Sequence, residues 1–302
     1  MATSFLIQYF QEFLDQNKEH IHQRYPSLNS NQLFLAYEDF VHNERAVLTP
    51  EDFASKKNLH TEKMKRFLDL VREGIPLNYI SKQRYFMDLA LYVDPRVLVP
   101  RNETEVLVDD LAKRIKQSGK SLEVCDVGTG SGCIALGILS ECELDINVLA
   151  LDISEEALAV AKLNYFRHRY LFHSGSKCEF KQSDRLAACD ADSFDLIVSN
   201  PPYIKQEKDQ NEVHQNVLLH EPHTALFLPD EEYDQWFKTF FEQIFKCLRD
   251  GGLFAMECSE LHIQNLMTIA EGMGFNNVHI LKDLTGKERF LYGRKGEPSW
   301  TN

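Results

Sequence analysis

The N-terminal part of the chain has apolar residues at the spacing of an α-helix. The first set places one apolar stripe along a helix and consists of Phe5, Leu6, Tyr9, Phe10, Phe13 and Leu14. Residues 33–41 and 64–71 repeat this spacing, and Thr49-Pro50-Glu51-Asp52 has the residues of a helix start. Residues 1–76 are therefore predicted to form a helical domain, whose last helix ends near Gly74.

The pattern changes to short apolar runs in residues 77–104. Runs at 85–87 and 89–93 are followed by Asp94-Pro95, a pair that ends regular structure. This spacing predicts a β-hairpin that links the helical domain to the rest of the chain.

Strand and helix patterns alternate over residues 105–296. A helix through residue 115 comes first, with Asn102 or Thr104 as its expected N-cap. Strands are then expected at residues 122–127, 148–152, 178–181, 194–199, 253–257, 278–281 and 289–292. Helical patterns separate most of them, so the predicted fold class is α/β: a doubly wound, mostly parallel sheet with a small N-terminal α-helical domain. The last two strands share a short loop and must pair antiparallel. Residues 297–302 would form a tail.

The composition and the spacing of particular residues limit the classes of protein to which the chain can belong. The chain has 302 residues, of which 43% are hydrophobic and 26% charged, as in ordinary globular proteins. It contains no apolar stretch long enough to span a membrane, and its first residues lack the features of a signal or transit peptide. The seven cysteines include no C-x-x-C pair, and the histidines lack a metal-binding spacing. We therefore expect a cytosolic protein without a disulfide framework or a metal site.

The formal net charge of −13 argues against a nucleic-acid partner. Residues 1–80 carry nine Lys/Arg against eleven Asp/Glu, so the helical domain is not a basic DNA-reading module. An acidic chain instead favours a small molecule or a basic protein partner. Because no spare apolar helix face is evident, we expect a monomer.

A glycine-rich turn, Asp126-Val-Gly128-Thr-Gly130-Ser-Gly132, follows the first strand of the sheet. Glycine permits a positive φ and lets a ligand approach the backbone closely. A dinucleotide site favours the spacing G-x-G-x-x-G, whereas here the third glycine comes one residue early. This difference favours S-adenosylmethionine over a dinucleotide, although a turn without any ligand stays open.

Two acidic residues extend this candidate site. Asp152 ends the second strand, where such an acid typically accepts hydrogen bonds from the hydroxyls of a ribose. Asp184 follows the third strand, and its carboxylate could accept from the amino group of adenine.

A second unusual turn, Ser199-Asn-Pro-Pro-Tyr203, follows the strand 194–199. Proline cannot donate to a strand ladder, so the strand must end there. Ligands bind at the carboxyl edge of such sheets, where both turns are expected. A rigid loop without a ligand is the alternative interpretation.

The chemistry of this turn fits a planar nitrogen acceptor that carries two N–H groups. The side-chain oxygen of Asn200 can accept one hydrogen and the carbonyl of Pro201 the other. Pro202 restrains the backbone, and Tyr203 can stack on the flat acceptor. Both acceptors would stabilise the positive charge that develops on the nitrogen. A glutamine amide and an adenine amino group both satisfy these requirements.

Together these segments resemble the release factor glutamine methyltransferases, the PrmC/HemK family. The resemblance covers nearly the whole chain and lies in Val99-Pro-Arg-Asn-Glu-Thr-Glu105, in the two turns, in Glu221-Pro-His-Thr-Ala-Leu226 and in Lys282-Asp-Leu-Thr-Gly-Lys-Glu-Arg289. It implies a Rossmann-like class I methyltransferase sheet. It also implies methylation of the glutamine amide nitrogen in the Gly-Gly-Gln motif of class I peptide chain release factors.

The resemblance further implies residue roles. S-adenosylmethionine, which leaves as S-adenosylhomocysteine, would be bound by Gly128, Thr129, Gly130, Ser131, Gly132, Asp152, Ile153, Asp184, Arg185 and Asn200. The glutamine would be bound, and the reaction catalysed, by Asn200, Pro201, Pro202 and Tyr203. The helical domain would contact the release factor.

The chain departs from the family pattern at three places. Asn102 replaces a usual proline, Arg185 follows Asp184 where an apolar residue is usual, and residues 227–232 replace a glycine-rich segment. The motifs also leave three other functions open: an adenine methyltransferase acting on DNA or RNA, a regulatory nucleoside-binding module and a dinucleotide-dependent oxidoreductase.

Overall fold

The computed structural model describes residues 2–45 and 59–300, which form two compact units. The described residues before Arg84 form the main part of the first unit and contain helices α1 (Ala2–Gln16), α2 (Lys18–Arg24), α3 (Ser30–Arg45), α4 (Leu59–Glu73) and α5 (Leu77–Ser81). Its core is an aromatic cluster in which Phe67 contacts the rings of Phe10, Tyr37 and Phe40 at centroid distances of 6.1, 5.3 and 5.6 Å. The N-terminal helices are thus confirmed, whereas the helix start predicted at residues 49–52 lies outside the described residues.

The second unit contains the sheet. Its strands and helices are, in chain order, β1 (Arg84–Phe86), β2 (Leu89–Leu91), α6 (Asn102–Ser118), β3 (Leu122–Val127), α7 (Cys133–Glu141), β4 (Ile146–Asp152), α8 (Glu155–His168), β5 (Lys177–Gln182), β6 (Phe194–Ser199), β7 (Ile204–Lys205), β8 (Phe227–Leu228), α10 (Tyr233–Cys247), β9 (Leu248–Glu257), α11 (Ile263–Gly272), β10 (Asn276–Lys282) and β11 (Glu288–Arg294). The helix α9 (Gln215–His220), which interrupts this order, belongs to the first unit.

The central sheet has seven strands in the order β10-β11-β9-β6-β3-β4-β5. The strand pairs from β9 to β5 are parallel, and β11 pairs antiparallel with both β9 and β10. The predicted doubly wound α/β fold is therefore confirmed. Strands β3 and β6 lie side by side, with β4 and β9 on their outer sides, so the chain reverses its direction of winding between them.

The register brings both unusual turns to one sheet edge. Val127, the last residue of β3, pairs with Leu151 of β4 and with Ser199 of β6. The hydroxyl of Ser199 also donates to the carbonyl of Val127 at 2.7 Å. The glycine turn and the Asn-Pro-Pro-Tyr turn therefore leave the sheet next to each other.

Two features of the second unit differ from the sequence predictions. The expected N-cap residues of α6 were wrong, because the cap is Arg101 and makes no side-chain capping bond. Asn102 and Thr104 already lie inside the helix, and the hydroxyl of Thr104 donates a hydrogen bond to Glu257, outside this helix. The two-stranded β1–β2 sheet begins only at Arg84, because residues 77–81 form the helix α5.

A short segment from the middle of the chain folds with the helical unit. Residues 213–221 belong to this unit, and the side-chain amide of Asn216 donates to the carbonyl of Arg24 at 2.7 Å. Among the described residues, no helix combines the length and apolar character needed to cross a membrane.

Asn164 of α8 joins the β1–β2 sheet to the glycine turn. Its side chain is fully buried, accepts from the amide of Tyr92 at 2.7 Å, and donates to the carbonyls of Tyr92 and Ser131, both at 2.9 Å. Three backbone groups therefore depend on one side chain.

We expect Asn164→Ala to lower the free energy of unfolding by about 3 kcal/mol, since it leaves buried backbone groups without partners. Urea unfolding measures this change. The control is Asn265→Ala, which removes a single exposed hydrogen bond to Asp234 and should cost roughly 0.5 kcal/mol or less. Equal losses in the two variants would contradict this role of Asn164.

Candidate active site

The glycine turn presents an open backbone surface. Gly128, Gly130 and Gly132 have φ values of +73°, +54° and +84°, which favour glycine. The amides of Gly128 and Thr129 both donate to the carbonyl of Leu151 at 2.8 Å, which holds the turn against β4. A Cβ atom added to Gly128 or Gly130 would have its nearest neighbour only at 4.0 Å. A ligand can therefore approach the backbone here.

Asp152 closes one side of this turn. Its Oδ2 accepts from the amide of Gly130 and its Oδ1 from the amide of Ser154, both at 2.9 Å. Burial raises the pKa of the Asp152 carboxyl, and these amides partly offset the rise. The next residue, Ile153, is 61% exposed and provides an apolar surface beside the carboxylate. This combination suits a ligand with hydroxyl groups attached to a flat apolar ring.

Asp126 lies beneath the turn and has an unused oxygen. Its Oδ2 accepts from the hydroxyl of Thr129 at 2.7 Å and from the amide of Ala135 at 3.1 Å. Its buried Oδ1, like the buried hydroxyl of Ser131, has no hydrogen-bond partner among the described residues. Buried polar atoms in native proteins are normally paired. These atoms fit a ligand that brings an ammonium group, as S-adenosylmethionine does.

The Asn-Pro-Pro-Tyr turn lies directly beside the glycine turn. A Cβ atom on Gly128 would be 4.0 Å from the carbonyl oxygen of Asn200. The side-chain Nδ2 of Asn200 donates to the hydroxyl of Thr104 at 3.3 Å. Among the described residues, no group donates to Asn200 Oδ1, which leaves this oxygen able to accept from a substrate.

A buried carboxylate, Glu257, joins the segments around this turn. Its Oε2 accepts from the hydroxyl of Thr104 at 2.6 Å, and its Oε1 accepts from the hydroxyl of Tyr203 at 3.0 Å. Glu257 is 1% exposed, so burial raises the pKa of its carboxyl, while the two hydroxyls and the charge of Arg289 oppose that rise.

Sequence reasoning missed both Glu257 and the role of Thr104. The available signal was an acid that directly follows the apolar run 253–256, at the carboxyl end of a predicted strand. Such a residue lies at the ligand-binding edge of the sheet.

Comparison with known sequences assigns the chain to a family. The profile of the family Methyltransferase small domain matches residues 102–226. The release factor glutamine methyltransferase of Bacteroides thetaiotaomicron is 35% identical over 73% of this chain and 76% of its own length. The enzymes of that name from Flavobacterium psychrophilum and Streptococcus pneumoniae are 32% and 35% identical, over 81% of this chain in each case and over 84% and 85% of their own lengths. The chain belongs to the release factor glutamine methyltransferase family. It is a methyltransferase, as the sequence motifs predicted.

Solved structures support the fold of this methyltransferase. A 16S rRNA methyltransferase of T. thermophilus (RsmC), solved with AdoMet and guanosine, superimposes with a TM-score of 0.52 at 17% identity, over 70% of this chain and 49% of that chain. The catalytic domain of hMettl16 also gives a TM-score of 0.52, at 16% identity, over 70% of this chain and 77% of that chain. At such low identity the likeness concerns the fold alone.

Asp184 and Arg185, the residues predicted to bind adenine, pair with each other. The guanidinium of Arg185 donates to both carboxylate oxygens of Asp184 at 3.1 Å. Arg185 has a φ of +50°, and its guanidinium lies 5.0 Å from the ring of Trp236. The carboxylate of Asp184 is therefore already paired, although its remaining lone pairs can still accept from a ligand.

Tyr203 is held by two polar contacts. Its hydroxyl donates to Glu257, and its backbone carbonyl accepts from the hydroxyl of Tyr233 at 3.2 Å. Its side chain also packs against the buried core cluster that includes residues of β9 and α10. Stacking of this ring on an acceptor group stays a prediction. The described residues include no cluster of His, Cys, Asp and Glu suited to a metal ion.

Burial of Asp126 is expected to make the stability of this methyltransferase depend on pH. Burial raises the pKa of its carboxyl from 3.8 to about 7. Folding therefore opposes its ionisation, and the cost is absent below the unfolded pKa, grows as the pH rises and is complete above the folded pKa. We expect Asp126→Asn to stabilise the ligand-free protein by a few kcal/mol at pH 8 and by much less at pH 5, measured by urea unfolding. A gain of equal size at both pH values would contradict the raised pKa.

Proposed function

We propose that this methyltransferase transfers the methyl group of S-adenosylmethionine to the side-chain amide nitrogen of the glutamine in the Gly-Gly-Gln motif of class I release factors. S-adenosylhomocysteine is the second product, and the enzyme acts as a cytosolic monomer. The observation that carries this proposal is the Asn200 amide, whose nitrogen is bound to Thr104 while its oxygen is unpaired. Family membership supports glutamine as the acceptor.

The donor is held mainly by backbone groups. Residues Gly128 to Gly132 let the donor approach the chain closely, and the unpaired oxygen of Asp126 accepts from its ammonium group. Asp152 accepts from the ribose hydroxyls, and Ile153 packs on the adenine. Asp184 and Arg185, which form an ion pair, would contribute polar groups to the adenine site. When bound, the donor supplies a methyl group on a positively charged sulfur.

The acceptor is held by two oxygen atoms. Asn200 Oδ1 accepts one hydrogen of the glutamine amide, and the carbonyl of Pro201 accepts the other. Pro202 restrains that carbonyl, and the ring of Tyr203 lies against the amide plane. The amide nitrogen has little basicity, so correct orientation must supply much of the rate enhancement, and orientation can contribute several kcal/mol. Both oxygens also stabilise the positive charge that forms on the nitrogen during transfer.

The helical domain, residues 1–76, would bind the release factor. The chain carries a net charge of −13, so a basic surface on the partner would be attracted over long distances. The helical domain would then determine which protein is bound, and the Asn-Pro-Pro-Tyr turn would determine which nitrogen atom is methylated.

Adenine in DNA or RNA is the alternative acceptor, since its amino group is also planar and carries two hydrogens. The turn alone does not separate the two substrates. The acidic charge and the names of the relatives favour the glutamine.

We expect Asn200→Ala to reduce methyl transfer to a release factor by about a hundredfold or more, because it removes one of the two acceptors for the amide. The dissociation constant for the donor should change by less than about threefold, since the donor is held mainly by the glycine turn. Transfer is measured with radiolabelled donor and binding by calorimetry. Asn211→Ala, at an exposed asparagine of the same unit, is the matched control. Near wild-type transfer by Asn200→Ala would show that the turn does not hold the acceptor.

The charge argument gives a separate expectation for binding. If the acidic enzyme attracts a basic release factor, the association rate should fall by about tenfold or more between low and high salt, because salt screens long-range attraction. Stopped-flow mixing with a labelled release factor measures this rate. An unchanged rate would remove long-range charge attraction from the account.

A further inference from the structure

The side-chain amide of Asn200 has nearly the same shape in its two orientations, but only one orientation offers an oxygen to the substrate. If the amide turned over, its N–H groups would face the N–H groups of the acceptor and bind it poorly. The enzyme therefore needs neighbouring groups that hold the amide in one orientation. The hydrogen bonds around Asn200 can do this.

We propose that Glu257 and Thr104 are positioning residues that fix the orientation of the Asn200 amide through hydrogen bonds that run in a single direction. This inference rests on the proposed function, because it assigns a role in presenting Asn200 Oδ1 to the acceptor amide.

Glu257 sets the donor-to-acceptor direction of these hydrogen bonds. An ionised carboxylate can only accept hydrogen bonds, and Oε2 lies 2.6 Å from the hydroxyl of Thr104. Thr104 has a single hydroxyl hydrogen, which this contact uses. Toward Asn200 the Thr104 oxygen can therefore only accept, so the group facing it at 3.3 Å must be Nδ2. Asn200 Oδ1 is then directed away from Thr104.

The carboxylate itself is held in place by a second hydroxyl. Tyr203 donates to its other oxygen at 3.0 Å, so both arms accept from hydroxyls. Arg289 adds a favourable charge, and its Nε lies 3.4 Å from Asp283 Oδ2. Thr104 in α6, Tyr203 in the turn and Glu257 at the end of β9 thus come from three separate segments, which explains why no local motif reveals them.

Replacing Glu257 by glutamine keeps the shape but reverses part of this direction. A glutamine side chain has one accepting oxygen and one donating NH2 group, whereas the hydroxyls of Tyr203 and Thr104 both need an acceptor. Because a phenol hydroxyl donates more strongly and accepts more weakly than an aliphatic hydroxyl, the glutamine oxygen is expected to face Tyr203 and its NH2 group Thr104. The threonine oxygen then accepts from the NH2 group, and its hydrogen becomes free to donate to Asn200 Oδ1. Asn200 then presents its nitrogen to the substrate.

Removing the Thr104 hydroxyl should lower activity less than reversing the direction of its hydrogen bonds. Thr104→Val imposes neither orientation on Asn200, and a two-state amide with equal populations retains about half of its competent form. We therefore expect Thr104→Val to lower kcat by only about two- to fivefold. Thr104→Ser keeps the hydroxyl and should retain most of the activity.

The decisive experiment compares Glu257→Gln with the double variant Glu257→Gln/Thr104→Val in methyl transfer to a release factor. We expect Glu257→Gln to lower kcat by about thirtyfold or more, with the dissociation constant for the donor within about twofold of wild type. The double variant should recover to the level of Thr104→Val, because no hydroxyl is left to hold the wrong orientation. A double variant that is as slow as Glu257→Gln, or slower, would overturn the proposal, since loss of structure alone predicts that result.

Two controls separate this effect from misfolding. Glu271→Gln, at an exposed acid on α11, should leave activity unchanged. Urea unfolding of each variant reports stability, and recovery of kcat in a double variant that is no more stable than Glu257→Gln cannot come from refolding.

A neutron crystal structure tests the same proposal without any activity assay. In deuterium-exchanged wild-type crystals, the deuterated nitrogen of Asn200 should face Thr104; in Glu257→Gln crystals the oxygen should face it. An oxygen facing Thr104 in the wild type would overturn the proposal. Failure of the wild type to methylate a release factor would instead overturn the proposed function, and the neutron result would still decide the orientation.

Discussion

A buried carboxylate that accepts from two hydroxyls is the interaction on which the rest of the site depends. Glu257 ends β9, and its two oxygens bind Thr104 in α6 and Tyr203 in the Asn-Pro-Pro-Tyr turn. Burial of a charged carboxylate is costly unless hydrogen bonds compensate it, and here the two hydroxyls and the charge of Arg289 oppose the rise in pKa that burial causes. The contact thereby fixes the first turn of a helix, the end of a strand and a rigid loop relative to one another.

The parallel sheet provides the frame for this contact. Because β3, β4, β6 and β9 run in the same direction, their carboxyl ends meet at one edge, where the glycine turn, Asp152, the Asn-Pro-Pro-Tyr turn and Glu257 lie. The two sides of the edge differ in character. On one side, open backbone and an unpaired Asp126 oxygen suit a nucleoside donor. On the other, a side-chain oxygen and a backbone carbonyl suit a planar amide.

The sequence predicted the parts of the fold that depend on local pattern. The limits of β3 and β6 agree with the predicted strands 122–127 and 194–199, because turns of glycine or proline end these apolar runs. Features that depend on distant contacts were not predicted. Thr104 seemed suited to cap α6, but its hydroxyl binds a carboxylate that lies far along the chain. Similarly, residues 213–221 have no pattern that indicates contact with the helical unit, and nothing in the sequence indicates the left-handed backbone of Arg185.

The central claim is that the adjoining turns direct a methyl group onto a glutamine amide nitrogen. Tandem mass spectrometry of a release factor incubated with the enzyme and a donor with a deuterated methyl group tests it most directly. The account predicts a single labelled methyl group on the side-chain nitrogen of the glutamine in the Gly-Gly-Gln motif. Label on any other residue, or an unlabelled release factor together with labelled adenine in added DNA or RNA, would contradict it.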